Sequence, residues 1–508
     1  FRAACRAAAT GGPAPDGPAP GDPASDHWEV VRGLHRRLAE NVGDVESYDG
    51  TPTAHAARQA RVFDEAAPFF ASEDATPASV VPRLKRVVSE TGIRNGVYAP
   101  PGAVPDGPGI RHEPTPAAVV DVGVGTGALL PYYASECGVP HAAVTGVDVS
   151  KRMLEACEAR FPGTHLVHGD FSEWAESLPY GRAGCYDAVV VNACFGNMHD
   201  PARCLAAAAR VVRPDGGRVV ISHPLGAAFV AKLRADDPTV VPHELPADGE
   251  AVRALLGDGD GRHLRLVAFA NEGGAGPGRG SGSGAEGEEA EGYYAAVLER
   301  WVPRPLARAI VLRAPVAHGY GRGSKQLGVP TANLEAAPLA EGLKAVPAGV
   351  YAGWAVVEGA EGPAGRAVHR AVANVGFAPT FEKDAHASKI VEAHLLPTEG
   401  APFSSDFYGK RMRLVLCGFL RPERKFPSFP DLLAAVHQDL SMGAALLGEH
   451  PLASLAQDPF LLMGTAPDGG EGLLKGGTVC KQVPLERALE AAELHGAYEP
   501  ARQPPLFS

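Results

Sequence analysis

The spacing of apolar and polar positions changes several times along the chain. Apolar side chains recur at helical spacing in three early segments, 28–42, 57–70 and 77–92. From about residue 117, short β-branched runs alternate with helical stretches, which is typical of an α/β domain. After residue 309 strands alternate with turns, and one convincing helix follows near 430–447. The pattern predicts a multidomain chain, with an α/β domain followed by a small antiparallel β-barrel with a C-terminal helix.

Three segments lack this patterning. Residues 1–25 are rich in Ala, Pro and Gly, and we interpret them as a disordered leader, with the end of a transit peptide as the alternative. Residues 273–292 have the Gly, Ser and Glu composition of a flexible coil. Residues 451–508 contain one isolated helical stretch without an evident core, so we predict a mostly disordered tail.

The length, charge, apolar runs and cysteines of the chain exclude several classes of protein. A chain of 508 residues is too long for one ordinary core, and its net charge of −12 argues against a nucleic-acid-binding surface. No apolar run approaches the ~18 residues that a membrane span needs. The eight cysteines form no C-x-x-C pair, which favours free thiols in a reducing compartment. We therefore expect a soluble intracellular protein without membrane partners; cytoplasmic and organellar (plastid or mitochondrial) locations both stay open.

A strand, a glycine-rich loop and a helix follow one another at 117–138. The strand AVVDV contains Asp121 and leads into Gly123-Val-Gly-Thr-Gly127. Such a loop lets a ligand approach a helix N-terminus. Because Gly123, Gly125 and Ala128 also fit G-x-G-x-x-A, a dinucleotide site is the first competing interpretation.

Acidic side chains end successive strands of this region. Asp148 ends the second strand and Asp170 the third, and Asn192 follows the fourth. The carboxyl edge of a parallel sheet is where ligands bind. An RPDGG turn (213–217) then precedes the strand RVVISH (218–223). Asp148 fits both a ribose diol and NAD, whereas Asp170 and the PDGG turn disfavour a nucleotide-dependent oxidoreductase.

This order of motifs resembles a class I S-adenosylmethionine-dependent methyltransferase over about 115–302. The resemblance implies a Rossmann-like, seven-stranded sheet with an antiparallel seventh strand, in a domain spanning 26–302. Only GYYAAVLERWV (292–302) can supply that strand, so 273–292 is interpreted as an insertion in the terminal hairpin rather than a linker. The resemblance to methyltransferases also implies a set of cofactor-binding residues: Asp121, Gly123, Gly125, Gly127, Asp148, Asp170 and Asn192.

The methyl acceptor of this domain stays unknown from the sequence. Asn192, Phe195, Asn197 and His199 follow the fourth strand, where this family often recognises its acceptor. The segment NACF is not the Asn-Pro-Pro-aromatic motif of amide or amine methylation. His199 is a candidate base or a surface histidine, and a degenerate, regulatory domain is a further alternative.

A second glycine-rich stretch, at 321–333, precedes the strands of the barrel. Glycines let backbone N–H groups close on a phosphate, and Lys325 and Arg322 supply cations. Thr331 and Asn333 place two neutral oxygens one residue apart, which suits Mg²⁺ shared with phosphates. The spacing is not that of a Walker loop. A Gly-rich hairpin with a solvated Lys and Arg is the alternative.

The residues downstream extend this stretch into a family resemblance. With GVYAGWA (349–355), ANVGFAPTF (373–381), KIVEAHLL (389–396) and DFYGKRMRLVLCGFLRPERKF (406–426), it resembles riboflavin kinase over about 310–450. The resemblance implies a barrel domain at 309–450 that phosphorylates riboflavin with ATP and Mg²⁺, or another divalent metal. The implied roles are as follows: ATP contacts Gly319, Gly321, Arg322, Gly323, Lys325 and Thr331; metal ligands Thr331 and Asn333; a base at Glu392; and flavin-side loop residues Arg421, Glu423 and Phe426.

Strand alternation gives Glu392 independent support. Val391 and Ala393 fall on one face of KIVEAHLL, and Glu392 falls on the other, together with His394. An acid flanked by apolar neighbours is costly to bury without a role. His394 is expected to pack rather than react. We predict a bifunctional riboflavin kinase and methyltransferase-like chain; the alternative is a non-catalytic FMN-binding, regulatory module.

Overall fold

The computed structural model divides the chain into two compact units, one ending at Arg300 and one beginning at Trp301. Several predictions, among them those on 1–25 and on most of 28–42, lie outside the described residues. The structure describes residues 32–33, 36, 48–72, 76–98, 116–179, 184–273, 292–318, 331–360, 367–377, 389–396, 406–426, 428–464 and 477–498.

The first unit is built on a seven-stranded sheet in the order β5-β4-β3-β6-β7-β9-β8. Strands β3 to β7 run parallel, and β8 and β9 pair antiparallel. The predicted Rossmann-like sheet is therefore confirmed. Its strands are β3 (Val119–Val122), β4 (Val144–Asp148), β5 (His165–His168), β6 (Ala188–Asn192), β7 (Asp215–His223), β8 (Leu264–Glu272) and β9 (Tyr293–Trp301). A separate ribbon contains β1 (Ile93–Arg94) and β2 (Val97–Tyr98).

Helices cover both faces of this sheet. Along β3, Val120 and Val122 join one apolar cluster, whereas Val119 joins the other. Several of these helices begin at side-chain caps; Ser150, for example, accepts a hydrogen bond from the Met153 N–H. The helices are α1 (Pro52–Phe70), α2 (Val81–Ser89), α3 (Leu130–Tyr132), α4 (Lys151–Arg160), α5 (Phe171–Ser177), α6 (Pro201–Val211), α7 (Gly226–Asp236) and α8 (Gly249–Ala254).

The hairpin β8–β9 settles what the Gly/Ser/Glu-rich segment connects. Glu272 lies opposite Tyr293 in the antiparallel register. Residues 274–291, which lie outside the described residues, therefore join two paired strands of one sheet, rather than two domains.

The second unit is a closed antiparallel barrel with one added strand. Strand β11 pairs with both β14 and β10, which closes the ring β10-β11-β14-β13-β12-β15. The barrel and its C-terminal helix are confirmed. The strands are β10 (Arg304–Ala317), β11 (Thr331–Leu334), β12 (Gly349–Val357), β13 (His369–Phe377), β14 (Lys389–Leu396), β15 (Arg411–Pro422) and the added β16 (Val479–Pro484). The helices are α9 (Ala340–Leu343), α10 (Phe429–Leu446), α11 (Pro459–Met463) and α12 (Leu485–Tyr498).

The prediction of a mostly disordered tail over 451–508 is wrong for the described residues 451–464 and 477–498, which contain α11, β16 and α12. Strand β16 pairs with β10 over six positions, from Arg308↔Pro484 to Arg313↔Val479. Val483, Leu485 and Ala492 are buried in a core on the outside of the barrel. The apolar positions of this segment are too few to form a core alone, so its structure depends on a partner strand about 170 residues away in sequence.

Candidate functional site

A row of polar side chains crosses three neighbouring strands of the barrel. In the register, Glu392 of β14 lies opposite Asn333 of β11 and opposite Asn374 of β13. Side chains at such paired positions share a face, with Cβ atoms about 4.5–5.5 Å apart. Their neighbours Ala332, Leu334, Val391 and Ala393 point into the barrel core. The row therefore lies on the outer face of the barrel.

Glu392 has the properties of an available base. Its side chain is half-buried, and this burial raises the pKa of the carboxyl group. Among the described residues, none donates a hydrogen bond to it or forms an ion pair with it. A carboxylate without a fixed partner can accept a proton from a hydroxyl group placed beside it.

Thr331 and Asn333 lie on the same face of β11, beside this acid. Thr331 Oγ1 is 3.0 Å from Nδ1 of His394. Burial lowers the pKa of His394, which supports the packing role expected for it. The hydroxyl and amide oxygens fit Mg²⁺, because this ion prefers oxygen donors and shares its shell with phosphates. In the described part of the chain, no cluster of three or more His, Cys, Asp and Glu forms a rival metal site.

Most of the predicted phosphate-binding residues cannot be placed. Gly319, Gly321, Arg322, Gly323 and Lys325 lie outside the described residues. Their predicted contacts with ATP stay predictions.

The expectation that Arg421 is a loop residue is wrong. Arg421 lies inside β15, is 5% exposed, and pairs with Asp439 of α10 at 2.7 Å. Its guanidinium carbon lies 5.1 Å from the centre of the Phe426 ring. This buried pair fastens α10 to the barrel. Local sequence could not reveal it, because Asp439 is 18 residues away and on another element.

The row continues into the loop that follows β15. Asn374 Nδ2 donates a hydrogen bond to Glu423 Oε1 at 3.3 Å. Glu423 thus lies next to the row, and its role on the flavin side stays a prediction. Sequence reasoning missed Asn374, although an amide within the apolar strand ANVGF was a signal.

In the first unit, the glycine loop after β3 is held against the end of β4. Gly123 N–H donates to the Val147 carbonyl at 2.8 Å, and Gly125 N–H donates to Asp148 Oδ2 at 2.9 Å. Gly125 has a φ of +54°, and an added Cβ would meet nothing closer than 3.9 Å. The open space above this glycine and the adjacent carboxylate fit the close approach of a nucleoside ligand.

A cavity of about 290 Å³ opens beside this loop. Five of the predicted cofactor residues line it: Gly123, Gly125, Asp148, Asp170 and Asn192. Among the lining residues that sequence reasoning missed are His55 and Phe229, on helices without a motif, and His223, the last residue of the strand RVVISH. His199 also lines the cavity, and its Nε2 lies 3.0 Å from the Gly50 carbonyl oxygen.

Two predicted residues lie behind the loop instead. Asp121 is 2% exposed and is not among the residues that line the cavity. Burial, and next the charge of Asp148, raise the pKa of Asp121 to about 8. Gly127 is also absent from the lining, and an added Cβ there would lie 2.7 Å from the Phe161 ring. Neither residue is therefore part of the cavity wall.

Each of the two units matches a different protein-family model. A family model described as riboflavin kinase matches residues 306–447, and one described as a methyltransferase domain matches residues 120–220. A riboflavin kinase of Mus musculus is 36% identical over 149 residues, which cover 29% of this chain and 87% of the mouse protein.

A bifunctional riboflavin kinase/FMN phosphatase of Arabidopsis thaliana is 40% identical over 147 residues. The match covers 29% of this chain and 35% of the plant protein, so the chain spans about a third of that relative's length. A solved riboflavin kinase of Trypanosoma brucei is 22% identical, and the match covers 36% of this chain and 99% of that chain with a TM-score of 0.27. Through its second unit, the chain belongs to the riboflavin kinase family, and its first unit is similar to methyltransferase domains over residues 120–220.

Proposed function

We propose that the second unit transfers the γ-phosphate of ATP to the 5′-hydroxyl of riboflavin, giving FMN and ADP. The observation that supports this proposal is the Asn333–Glu392–Asn374 row, in which a carboxylate without a partner among the described residues lies beside amide oxygens that suit a metal ion. Membership of the family supports the substrate class.

Each group in the row has a role in this reaction. Glu392 accepts the proton of the 5′-hydroxyl as its oxygen forms the new bond to phosphorus and the bond to ADP breaks. Thr331 and Asn333 would hold Mg²⁺, which supplies charge neutralisation for the phosphate oxygens. Asn374 orients Glu423 beside the acceptor side of the row.

The test is FMN formation by the full chain with ATP, riboflavin and a Mg²⁺ titration. For Asn333→Ala we expect the Mg²⁺ concentration at half-maximal rate to rise at least about tenfold, since even indirect partners of a metal cost 10- to 100-fold. Gln457→Ala, which removes an exposed amide elsewhere in the unit, is the matched control. An unchanged Mg²⁺ requirement in Asn333→Ala contradicts the assignment.

The alternative function for this unit is a flavin-binding regulatory module. Such a module needs neither a base nor metal ligands, so the paired Asn333 and Glu392 disfavour it. A folded wild-type chain that binds riboflavin without forming FMN is the result that favours it.

For the first unit we propose binding of S-adenosylmethionine and methyl transfer to an unidentified acceptor. The observation that carries it is the open Gly125 beside Asp148, with Asp170 and Asn192 on the same cavity. When bound, the cofactor supplies a methyl group on a sulfonium. Asp148 would hold the ribose hydroxyls, and Asp170 would contact the adenine amino group.

Isothermal titration with S-adenosylmethionine tests this second proposal. Loss of a hydrogen bond to a charged group costs about 1.5–3 kcal/mol, so Asp148→Asn should weaken binding by roughly 10- to 150-fold. Asp258→Asn changes an exposed aspartate of the same unit and should bind as the wild type does. Absence of heat in the wild type at concentrations well above micromolar indicates a degenerate domain.

A further inference from the structure

One side of the cavity in the first unit combines Asn192, which the resemblance implies as a cofactor contact, with His223, which no cofactor motif explains. Asn192 ends β6 and His223 ends β7, and both line the cavity with Leu225 and Phe229. In the register Asn192 lies opposite Ser222, so His223 follows one residue later on the adjacent strand. The two polar side chains therefore reach the cavity from neighbouring strand ends.

His223 is a buried N–H donor of fixed orientation. It is 6% exposed, and its Nδ1 accepts a hydrogen bond from the Leu225 N–H at 3.2 Å. Burial lowers the pKa of His223 to about 4, so the ring is neutral near pH 7 and carries its hydrogen on Nε2. None of the described residues accepts a hydrogen bond from that nitrogen. With Nδ1 turned to the chain, Nε2–H faces the cavity.

Asn192 is fixed in a similar way. Its Oδ1 accepts a hydrogen bond from Ser222 Oγ at 3.0 Å, and its amide NH₂ has no acceptor among the described residues. The next residue, Ala193, has a φ of +57°, which is unfavourable for a side chain with a Cβ. Its N–H is held by the Ser222 carbonyl at 2.8 Å. Strain retained beside a cavity in this way is common at ligand sites.

The rest of the lining limits what such a donor pair can bind. None of the described residues that line the cavity is a Lys or an Arg, so this lining offers no cationic partner for phosphates or for a nucleic-acid backbone. Apolar side chains on or next to the helices α1, α2 and α7 make up much of the remaining wall: Phe63, Phe70, Val80, Leu84, Phe229 and Leu233.

We propose that Asn192 and His223 recognise the methyl acceptor by donating hydrogen bonds to an oxygen atom, and that the acceptor is a small, mainly apolar molecule bearing that oxygen. That the bound molecule is a methyl acceptor rests on the proposed methyltransferase function. The donor pair itself rests on the geometry of the two strand ends. His223 is a specificity-determining residue in this arrangement.

Two probes of nearly equal shape test the donor pair. Acetophenone carries a carbonyl oxygen where α-methylstyrene carries a methylene group. Ligand-observed NMR with the full chain and saturating S-adenosylhomocysteine gives the Kd of each. One net hydrogen bond is worth about 1 kcal/mol. The ratio of the Kd for α-methylstyrene to the Kd for acetophenone should therefore fall by roughly fivefold from the wild type to His223→Phe. The affinity for α-methylstyrene should not fall.

His165→Phe, which changes an exposed histidine outside the cavity, is the control and should keep the wild-type ratio. If His223→Phe does not fold, ¹⁵N-histidine spectra of the wild type decide the question. Acetophenone should shift the Nε2 resonance of His223, and α-methylstyrene should not. Equal binding of the two probes by the wild type, or an unchanged ratio in folded His223→Phe, overturns the inference.

The cofactor titration separates this inference from the proposed function. Heat with S-adenosylmethionine together with an unchanged probe ratio contradicts the donor pair alone. Absence of that heat together with probe discrimination contradicts the methyltransferase proposal and supports an oxygen-recognising site.

Discussion

The two sites of this chain are assembled by opposite routes. In the first unit, Gly125, Asp148, Asp170 and Asn192 come from strand ends within about seventy consecutive residues, and parallel topology brings those ends to one edge. In the barrel, Glu392 lies in the middle of a strand, and its neighbours come from β11 and β13. The first site depends on the order of strands, whereas the second depends on their register. A one-residue slip would turn Glu392 into the barrel core.

The largest effect should come from the acid in the middle of its strand. Glu392→Gln keeps the shape of the side chain but removes the proton acceptor, so we expect kcat for FMN formation to fall by about 10²- to 10⁴-fold with little change in KM. Initial-rate kinetics of the full chain measure it. Glu341→Gln, at an exposed position of the same unit, should keep wild-type kinetics. A near-normal kcat in Glu392→Gln would show that Glu392 is not the base, and that the register of β14 does not place the reacting group.

The next effect tests how far the barrel depends on distant segments. Leu485 is 8% exposed under the edge strand β16, so Leu485→Ala should cost about 2–5 kcal/mol of local stability. Hydrogen exchange of the β10 peptides, residues 304–317, measures the loss. Leu494→Ala, on the same helix but 75% exposed, should stay within about 0.5 kcal/mol of the wild type. Equal protection in both variants would mean that β10 is stable without this cover.

A pair of glycines separates binding from support in the first unit. At Gly127 an added Cβ would lie 2.7 Å from the Phe161 ring, so Gly127→Ala should lower stability by about 1–3 kcal/mol. At Gly125 nothing lies closer than 3.9 Å, so Gly125→Ala has only the cost of its backbone conformation, about 1–2 kcal/mol. Thermal unfolding should give the lower melting temperature for Gly127→Ala. Calorimetry should show that Gly125→Ala loses more S-adenosylmethionine affinity than Gly127→Ala, relative to the stability that each variant loses. The reverse ranking would contradict the division between lining and supporting residues.

The smallest effect is a shift in pH dependence. Burial raises the pKa of Glu392 above the ordinary 4.5, so the ionised base is lost as the pH falls through that raised value. FMN formation should therefore reach half its maximal rate above pH 4.5. The free energy of unfolding changes in the opposite direction to the rate. The folded chain binds the Glu392 proton more tightly than the unfolded chain does, so the free energy of unfolding declines as the pH rises through the raised pKa. Glu392→Gln should lack both dependences, and an unchanged rate profile in that variant would assign the titration to another group.

The contrast between the sites explains what the sequence could predict. Asp148, Asp170 and Asn192 were found because each ends a recognisable strand, and a strand end is a local feature. Glu392 was found from its motif and from alternation. Asn374 was missed because its relation to Glu392 exists only in the register of β13 with β14. The burial of Arg421 was missed for a similar reason, since its partner Asp439 lies on a helix that packs across the barrel.

The order in which strands meet has a consequence for synthesis of the chain. Strand β10 begins at Arg304, yet its partner β16 begins at Val479. During translation the edge of β10 thus stays unpaired until those later residues leave the ribosome, whereas the sheet of the first unit pairs mostly between segments made close together in time. Closing loops of that length slows folding, and an unpaired strand edge invites association with other chains. The barrel unit is therefore the part of this protein whose yield should depend most on translation rate and on chaperones.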